Sequence, residues 1–173
     1  MKKILKLSLS LLANQFLASI GGFMCVIFVW LIARDSIYSH LIFLLITYPF
    51  FIYIEFRAAF DYGFHDPDRR NKPESKSYIY KGALSGLISA IPLIVLICIY
   101  IVTRSSNVIL SETAKLYSRI ICMYYNWPMC NIFPNHVTAV LLSSIIGVVI
   151  FPMLGYIAGY KNFILRDKIY EIL

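Results

Sequence analysis

Long uninterrupted apolar stretches dominate the pattern of the chain. Four such stretches contain no acidic or basic residue apart from one histidine, and charged or polar residues bound each of them. A helix needs about 20 apolar residues to cross the hydrocarbon core of a bilayer, and each stretch is close to that length or longer. The predicted membrane spans are residues 7–33, 36–54, 82–103 and 137–160.

The polar stretches between the spans predict how the rest of the chain is organised. Residues 55–81 are expected to form one loop and residues 104–136 a longer segment on the opposite side. The composition is 60% hydrophobic and 14% charged, with a mean hydropathy of +0.73, whereas a soluble domain carries about 25% charged residues. The sequence therefore predicts an all-α polytopic membrane protein, a single domain over residues 1–173 with four transmembrane helices in a compact bundle.

The distribution of basic residues predicts the orientation of these spans. Of the 16 Lys and Arg residues, all but four lie in the two terminal segments and the loop 55–81. The four on the opposite side are Arg34, Arg104, Lys115 and Arg119. Because cytoplasmic loops carry the excess of Lys and Arg, we expect a plasma-membrane protein with both termini in the cytoplasm.

The outer segment contains a predicted amphipathic helix over residues 109–125. Its apolar positions recur at helical spacing: Ile109, Leu110, Ala114, Tyr117, Ile120, Ile121 and Tyr124. This pattern favours an extracellular helix that lies on the outer leaflet or caps the bundle, with a lid over a substrate path as the alternative. The sequence Asn126-Trp127-Pro128 is expected to end the helix.

Two of the four cysteines, Cys122 and Cys130, fall in the same outer segment. An oxidising exterior permits a disulfide between them, although free thiols remain the default expectation. Cys25 and Cys98 lie within spans, where they are expected to act as small core residues. No paired spacing of Cys and His predicts a metal site.

The loop 55–81 carries the densest polar chemistry of the chain and is the predicted partner-contact surface. Its candidate contact residues are Glu55, Arg57, Asp61, Asp66, Asp68, Arg69 and Arg70. One interpretation of this loop is a divalent-cation site formed by Asp61, Asp66 and Asp68 with His65. A turn at Asp66 and an ion pair between Arg57 and Asp61, one helical turn apart, are the favoured interpretation.

Small residues recur at four-residue spacing in three spans, which lets helix backbones approach closely in lipid. The sets are Ser10, Asn14, Ala18 and Gly22 in the first span, Gly82, Gly86 and Ala90 in the third, and Gly147, Gly155 and Gly159 in the fourth. We expect them to interlock the helices of one chain.

Motifs of enzymatic chemistry are absent from the sequence. It has no phosphate-binding glycine loop, no Gly-x-Ser-x-Gly, no His-Glu-x-x-His and no paired Cys-x-x-Cys. The basic residues are scattered and form no nucleic-acid-binding arm. Asn14 and Gln15 are the polar residues of the predicted spans that come nearest to an intramembrane polar site. No charged side chain is expected near a bilayer midplane. The sequence therefore predicts a non-enzymatic protein without a cofactor, a metal or a nucleic-acid partner.

Several short motifs resemble a group of uncharacterised four-span membrane proteins of Gram-positive bacteria. They are the aromatic end of the second span leading into Gly63 and Asp68-Arg69-Arg70-Asn71, the run from Lys81-Gly82 through Gly86 to Pro92, and Tyr156 with Gly159-Tyr160. The chain departs from the compact loop of that group through Phe64-His65-Asp66-Pro67. The resemblance implies the four-span topology and no activity.

Three functions fit these patterns. The leading hypothesis is an accessory or scaffold subunit that contacts a membrane-protein partner, because polar residues concentrate in the loops. The first alternative is a small transporter or channel, acting as a homo-oligomer, with Asn14, Gln15 and the proline-bent helices lining a path. The second alternative is an immunity protein against a membrane-active toxin.

Overall fold

The computed structural model describes residues 2–33, 36–66 and 77–172. Within these ranges the chain is helical and contains no strand. The described ranges contain seven α-helices, which are in chain order α1 (Lys2–Ala33), α2 (Ile37–Phe64), α3 (Ser77–Ser89), α4 (Ile91–Thr103), α5 (Val108–Ile121), α6 (Met123–Ile132) and α7 (Val137–Ile172). A short 3-10 turn, Pro134–His136, precedes α7.

Three stretches are long and apolar enough to cross a membrane: Lys3–Phe28, Ile37–Phe64 and Pro134–Lys161. The helices α3 and α4 qualify together, although they meet at an angle of 53°. The described part of the chain therefore has three candidate spans, or four if this bent pair counts as one. The prediction of an all-α membrane protein is confirmed at this level.

The second helix extends further than the sequence pattern predicts. Ser36 caps its start, where the Ser36 hydroxyl accepts the Ser39 N–H and the Ser39 hydroxyl accepts the Ser36 N–H. The helix then continues to Phe64, so the segment expected to begin the loop at residue 55 is helical. The reason is that buried positions recur every four residues beyond the predicted end, through Glu55, Ala59 and Gly63.

A small apolar cluster at one end of the bundle ties α1, α2 and α7 together. Leu7 and Leu11 of α1 pack with Ala59 of α2 and Tyr156 of α7. Because Asp66 follows α2 on this side, we call it the Asp66 end. The helices α1 and α4 end, and α7 begins, at the opposite end.

Glycines bring α7 into direct backbone contact with α2. A Cβ atom placed on Gly155 or Gly159 would overlap the backbone of Phe56 or Phe60. A Cβ on Gly63 would overlap the backbone of Tyr156 in the same way. The close packing predicted from the small residues of the fourth span is confirmed at Gly155 and Gly159.

The bent helix pair uses glycines for a second close contact with α7. A Cβ on Gly82 would lie 2.9 Å from the Cα of Met153, and one on Gly86 would lie 2.9 Å from the Cα of Val149. These distances are shorter than ordinary van der Waals contacts, so only glycine fits. The helices α2, α3 and α7 therefore form a tightly packed unit.

The helix predicted over residues 109–125 is divided into two. The break lies at Cys122, whose φ of −117° and ψ of 48° are not helical. The prediction that Asn126-Trp127-Pro128 ends the helix is wrong, because Pro128 lies inside α6. Proline leaves the carbonyl four residues earlier without its helical partner, and here that carbonyl, on Tyr124, accepts a hydrogen bond from the Thr47 hydroxyl at 3.0 Å.

The face that α5 turns to the bundle is made of small residues. Ser111, Ala114 and Ser118 are buried. The apolar residues Ile109 and Tyr117, predicted to face the protein or the outer leaflet, are exposed. An outward apolar face on a helix packed against a bundle is typical of contact with lipid.

Candidate functional site

Glu55 lies on the buried face of α2. The residues buried along this helix are Ser39, Phe43, Thr47, Phe51, Glu55, Ala59 and Gly63, spaced four apart. The side chain of Glu55 is 0% exposed. The same helix is a candidate span from Ile37 to Phe64, so Glu55 is a carboxyl group enclosed within a membrane helix bundle.

Neither carboxyl oxygen of Glu55 has a hydrogen-bond partner among the described residues. No described lysine, arginine or histidine forms an ion pair with it. An isolated charge costs many kcal/mol to bury in an apolar medium, and a buried polar group without a partner costs about 1–3 kcal/mol. A carboxyl group in this setting therefore requires a proton or another cation.

Gln15 of α1 lies at the same depth in the bundle. Gln15 follows Leu11 by one helical turn, and Glu55 precedes Ala59 by one turn. Because Leu11 and Ala59 belong to the same apolar cluster, Gln15 and Glu55 both occupy the next layer above it. Gln15 is fully buried, and its Oε1 atom has no hydrogen-bond partner in the described part of the chain.

The junction between α5 and α6 covers this layer on its other side. The Ser19 hydroxyl donates to the carbonyl of Ile121 at 2.6 Å, and the ring of Phe51 stacks on Tyr124 with centroids 3.7 Å apart. Ser19 and Phe51 are one helical turn beyond Gln15 and Glu55, respectively. Glu55 also interacts electrostatically with the Cys122 thiol and the Tyr124 hydroxyl.

The third helix completes the layer through Ser89. The Gln15 amide nitrogen donates to the Ser89 hydroxyl at 3.2 Å. We call Gln15, Glu55 and Ser89 the Glu55 layer. It is bounded by the Leu11–Ala59 cluster on one side and by the α5–α6 junction on the other.

Two helix breaks adjoin the Glu55 layer. Ser89 is the last residue of α3, and Pro92 lies in the first turn of α4, where its missing N–H separates the two helices. The second break is Cys122, between α5 and α6. Irregular backbone at membrane depth occurs where it is buried in protein or lines a cavity, and transporters often bind their ions at such breaks.

The Asp66 end of the bundle is joined by a buried ion pair. The Lys81 ammonium group lies 2.6 Å from an Asp66 carboxylate oxygen, and the Tyr156 hydroxyl donates to the same oxygen at 2.5 Å. Asp66 is buried, whereas the sequence placed it on an exposed contact loop. The difference arises because Gly63 lets α2 approach α7 closely enough for Tyr156 to reach Asp66. This cluster links α2, α3 and α7.

The remaining contact residues predicted on the loop divide into two groups. Arg57 and Asp61 form an ion pair at 3.3 Å and are about half exposed, as predicted from their spacing. Asp68, Arg69 and Arg70 lie outside the described residues. Within the described ranges, no group of three His, Cys, Asp or Glu side chains is arranged to hold a metal ion.

The cysteines of the outer segment carry free thiols. Cys122 precedes α6 and Cys130 lies in its last turns, so eight residues of helix separate their Cα atoms by about 12 Å. A disulfide requires Cα atoms within about 7 Å, so pairing Cys122 with Cys130 would require α6 to unwind. Burial also raises the pKa of the Cys130 thiol, and the positive charges of Arg119 and Lys115 partly offset this increase. A neutral thiol is a poor nucleophile for disulfide formation.

Sequence analysis missed Glu55 as a buried group. The sequence placed Glu55 at the start of the predicted loop, whereas α2 continues past residue 54 and Glu55 is buried within it. Charge alone suggested a membrane boundary at Glu55. The signal that identifies it is the four-residue spacing of Phe51, Glu55, Ala59 and Gly63, which continues the apolar face without interruption.

Comparisons of the chain with protein-family models, with curated proteins and with solved structures found no match. The resemblance to the four-span group of Gram-positive bacteria stays a prediction.

Proposed function

We propose that this protein is a small ion transporter or channel of the plasma membrane, and that the Glu55 layer is its ion site. The observation that carries the proposal is the complete burial of Glu55 with both carboxyl oxygens unpartnered among the described residues. Burying a carboxyl group inside a membrane bundle is energetically unfavourable, and membrane proteins usually contain such a group because it binds or moves an ion. Burial away from any surface also removes Glu55 from direct contact with another protein.

The broken helices support the same function. The breaks after Ser89 and at Cys122 both adjoin the Glu55 layer. A break divides a helix into two segments that can move relative to one another. Such movement is required if an ion site is to be exposed first to one side of a membrane and then to the other. The Thr47 and Ser19 hydroxyls donate hydrogen bonds to carbonyl groups of the α5–α6 junction. These bonds satisfy the backbone at the break, so a continuous helix is not needed there.

The proposal includes a four-span topology. The bent pair α3–α4 then crosses the membrane as one broken span, and α5–α6 enters the bundle from the outer side without crossing it. The excess of Lys and Arg at the terminal segments and around residues 55–81 favours a cytoplasmic Asp66 end. Several copies of the chain would assemble so that helices of neighbouring copies line the rest of the ion path.

The direct test is ion flux into proteoliposomes. Purified wild-type protein is reconstituted, and the fluxes of H⁺, Na⁺, K⁺ and Cl⁻ are followed with ion-sensitive dyes under an imposed membrane potential. We expect at least one cation flux above that of protein-free liposomes. The Glu55→Gln variant removes the charge with little change of volume and should reduce that flux at least tenfold.

The matched control is Glu112→Gln, the same chemical change on α5 at a carboxyl group that is more than half exposed. This variant should conduct like the wild type. Absence of any flux through correctly folded wild-type protein, or equal flux through Glu55→Gln, would remove the proposal.

An accessory or scaffold subunit is the second candidate. The exposed Arg57–Asp61 pair on the last turns of α2 favours it, because these side chains are available to a partner at the Asp66 end. Gentle solubilisation and purification from native membranes tests this function. A stoichiometric partner that is lost on substitution of both Arg57→Gln and Asp61→Asn would support it, and isolation of the chain alone would count against it.

A further inference from the structure

The hydrogen bonds of the Glu55 layer leave acceptors without donors. The Gln15 amide group donates to Ser89, and the Ser89 hydroxyl in turn donates to the carbonyl of Gly86 at 2.8 Å. The oxygens left without partners among the described residues are Gln15 Oε1 and both carboxyl oxygens of Glu55. Two side chains of the layer, Gln15 and Glu55, therefore carry acceptor oxygens for which the described residues supply no donor.

We propose that Glu55 binds a proton in this layer and that the neutral carboxyl group donates it to the side-chain carbonyl of Gln15. The inference rests on the proposed function and identifies the proton as the ion that the Glu55 layer binds. Proton binding converts the Glu55 carboxylate to a carboxylic acid, which has one donor and one remaining acceptor. A single proton thus removes the buried charge and satisfies the orphaned oxygen of Gln15.

The groups that face Glu55 favour its neutral form. From the α5–α6 junction they are the Cys122 thiol and the Tyr124 hydroxyl, neither of which carries positive charge. The buried polar groups of α1 and α3 near this depth are Gln15, Ser85 and Ser89, which are uncharged.

A compensated pair of charges lies toward the Asp66 end of the bundle. From α3 comes Lys81, which is paired with Asp66 of α2, and α7 contributes the Tyr156 hydroxyl to the same pair. Because the two charges compensate each other, they leave no net positive charge to hold Glu55 ionised.

A divalent metal ion fits the same atoms less well. Calcium and magnesium take about six or more oxygen ligands, whereas the orphaned oxygens of the layer come from only two side chains, Gln15 and Glu55. A divalent ion would also leave a net positive charge in the bundle beside a single carboxylate. A proton requires neither extra ligands nor a second acidic group.

Infrared spectroscopy of the full-length protein in lipid tests the inference. A protonated carboxyl group has a C=O stretching band that an ionised carboxylate lacks. We expect this band at pH 7 in the wild type and in Glu112→Gln, and its loss in Glu55→Gln. Replacing Gln15 with Leu removes the acceptor and should shift the band to higher frequency.

Glu55→Asp keeps the test decisive if Glu55→Gln fails to fold. This variant retains a carboxyl group, and its neutral C=O band should persist at an altered frequency. Absence of a neutral carboxyl band from the folded wild type at pH 7 would overturn the inference, as would a band that survives unchanged in folded Glu55→Gln.

The two proposals fail separately. A neutral Glu55 band without any ion flux would support the proton site and remove the transport function. A sodium or potassium flux that depends on Glu55, with no neutral carboxyl band, would support transport and overturn the assignment of the proton.

Discussion

At the scale of the residue, Glu55 and Asp66 are two buried acidic side chains that differ in their hydrogen-bond and ion-pair partners. Asp66 is held by Lys81 and Tyr156, so its charge is compensated within the structure. Glu55 has no such partner among the described residues. A compensated carboxylate can remain charged inside the bundle, whereas an uncompensated one is favourable there only when a cation or a proton is bound.

The Asp66 cluster leads to a prediction about stability. Lys81→Met leaves a buried carboxylate without its cation and should lower the free energy of unfolding by about 3 kcal/mol. Arg57→Met breaks a half-exposed pair and should cost less than about 1 kcal/mol. Thermal unfolding of both variants in the same detergent measures the difference. Equal losses of stability would mean that Asp66 is not enclosed.

Glycine contacts give a second prediction at this scale. Gly159→Ala forces a methyl group against the backbone of Phe60 and should destabilise the bundle by about 1–3 kcal/mol. Gly21→Ala is the matched control, because no atom lies within 4 Å of the position of its Cβ. Alanine there should leave stability unchanged or raise it by about 0.5–1 kcal/mol, since glycine weakens helices. Unfolding midpoints that rank the two variants the other way would contradict the α2–α7 contact.

At the scale of the element, the α5–α6 junction is an irregular segment that is buried in the bundle. Hydrophobic periodicity predicted one helix over residues 109–125, because the apolar spacing continues across Cys122. The break depends on partners distant in sequence. Ser19 and Thr47 bond the carbonyls of Ile121 and Tyr124, and no local pattern contains that information.

Loss of one of these bonds should loosen the junction. Thr47→Val leaves the Tyr124 carbonyl without the donor that replaces its helical partner, at a cost of about 1–3 kcal/mol. Thr113→Val is the matched control, since the Thr113 hydroxyl bonds only its own helix on the exposed side of α5. Amide hydrogen exchange at residues 121–126 should quicken in Thr47→Val alone. Unchanged exchange would show that the junction does not depend on α2.

At the scale of the whole molecule, composition and apolar runs were sufficient to predict an all-α membrane protein. The glycine spacing in the fourth span also predicted close helix contact correctly at Gly155 and Gly159. The four-residue spacing of Phe51, Glu55, Ala59 and Gly63 indicated that α2 continues past residue 54. The site was missed because a charged residue near the end of an apolar run is normally a boundary. The sequence could not show that Asp66 turns inward, because this depends on the surface that α7 presents.

The central claim is that Glu55 is enclosed in the bundle while Asp61, on the same helix, faces outward. Its most direct test is labelling of single cysteines at positions 55 and 61, in a protein whose four native cysteines are replaced by alanine. A water-soluble maleimide, given access to both faces of permeabilised membranes, should label Asp61→Cys and leave Glu55→Cys unlabelled until the protein is unfolded. Equal labelling of both positions in the folded protein would contradict the claim and return Glu55 to an exposed loop.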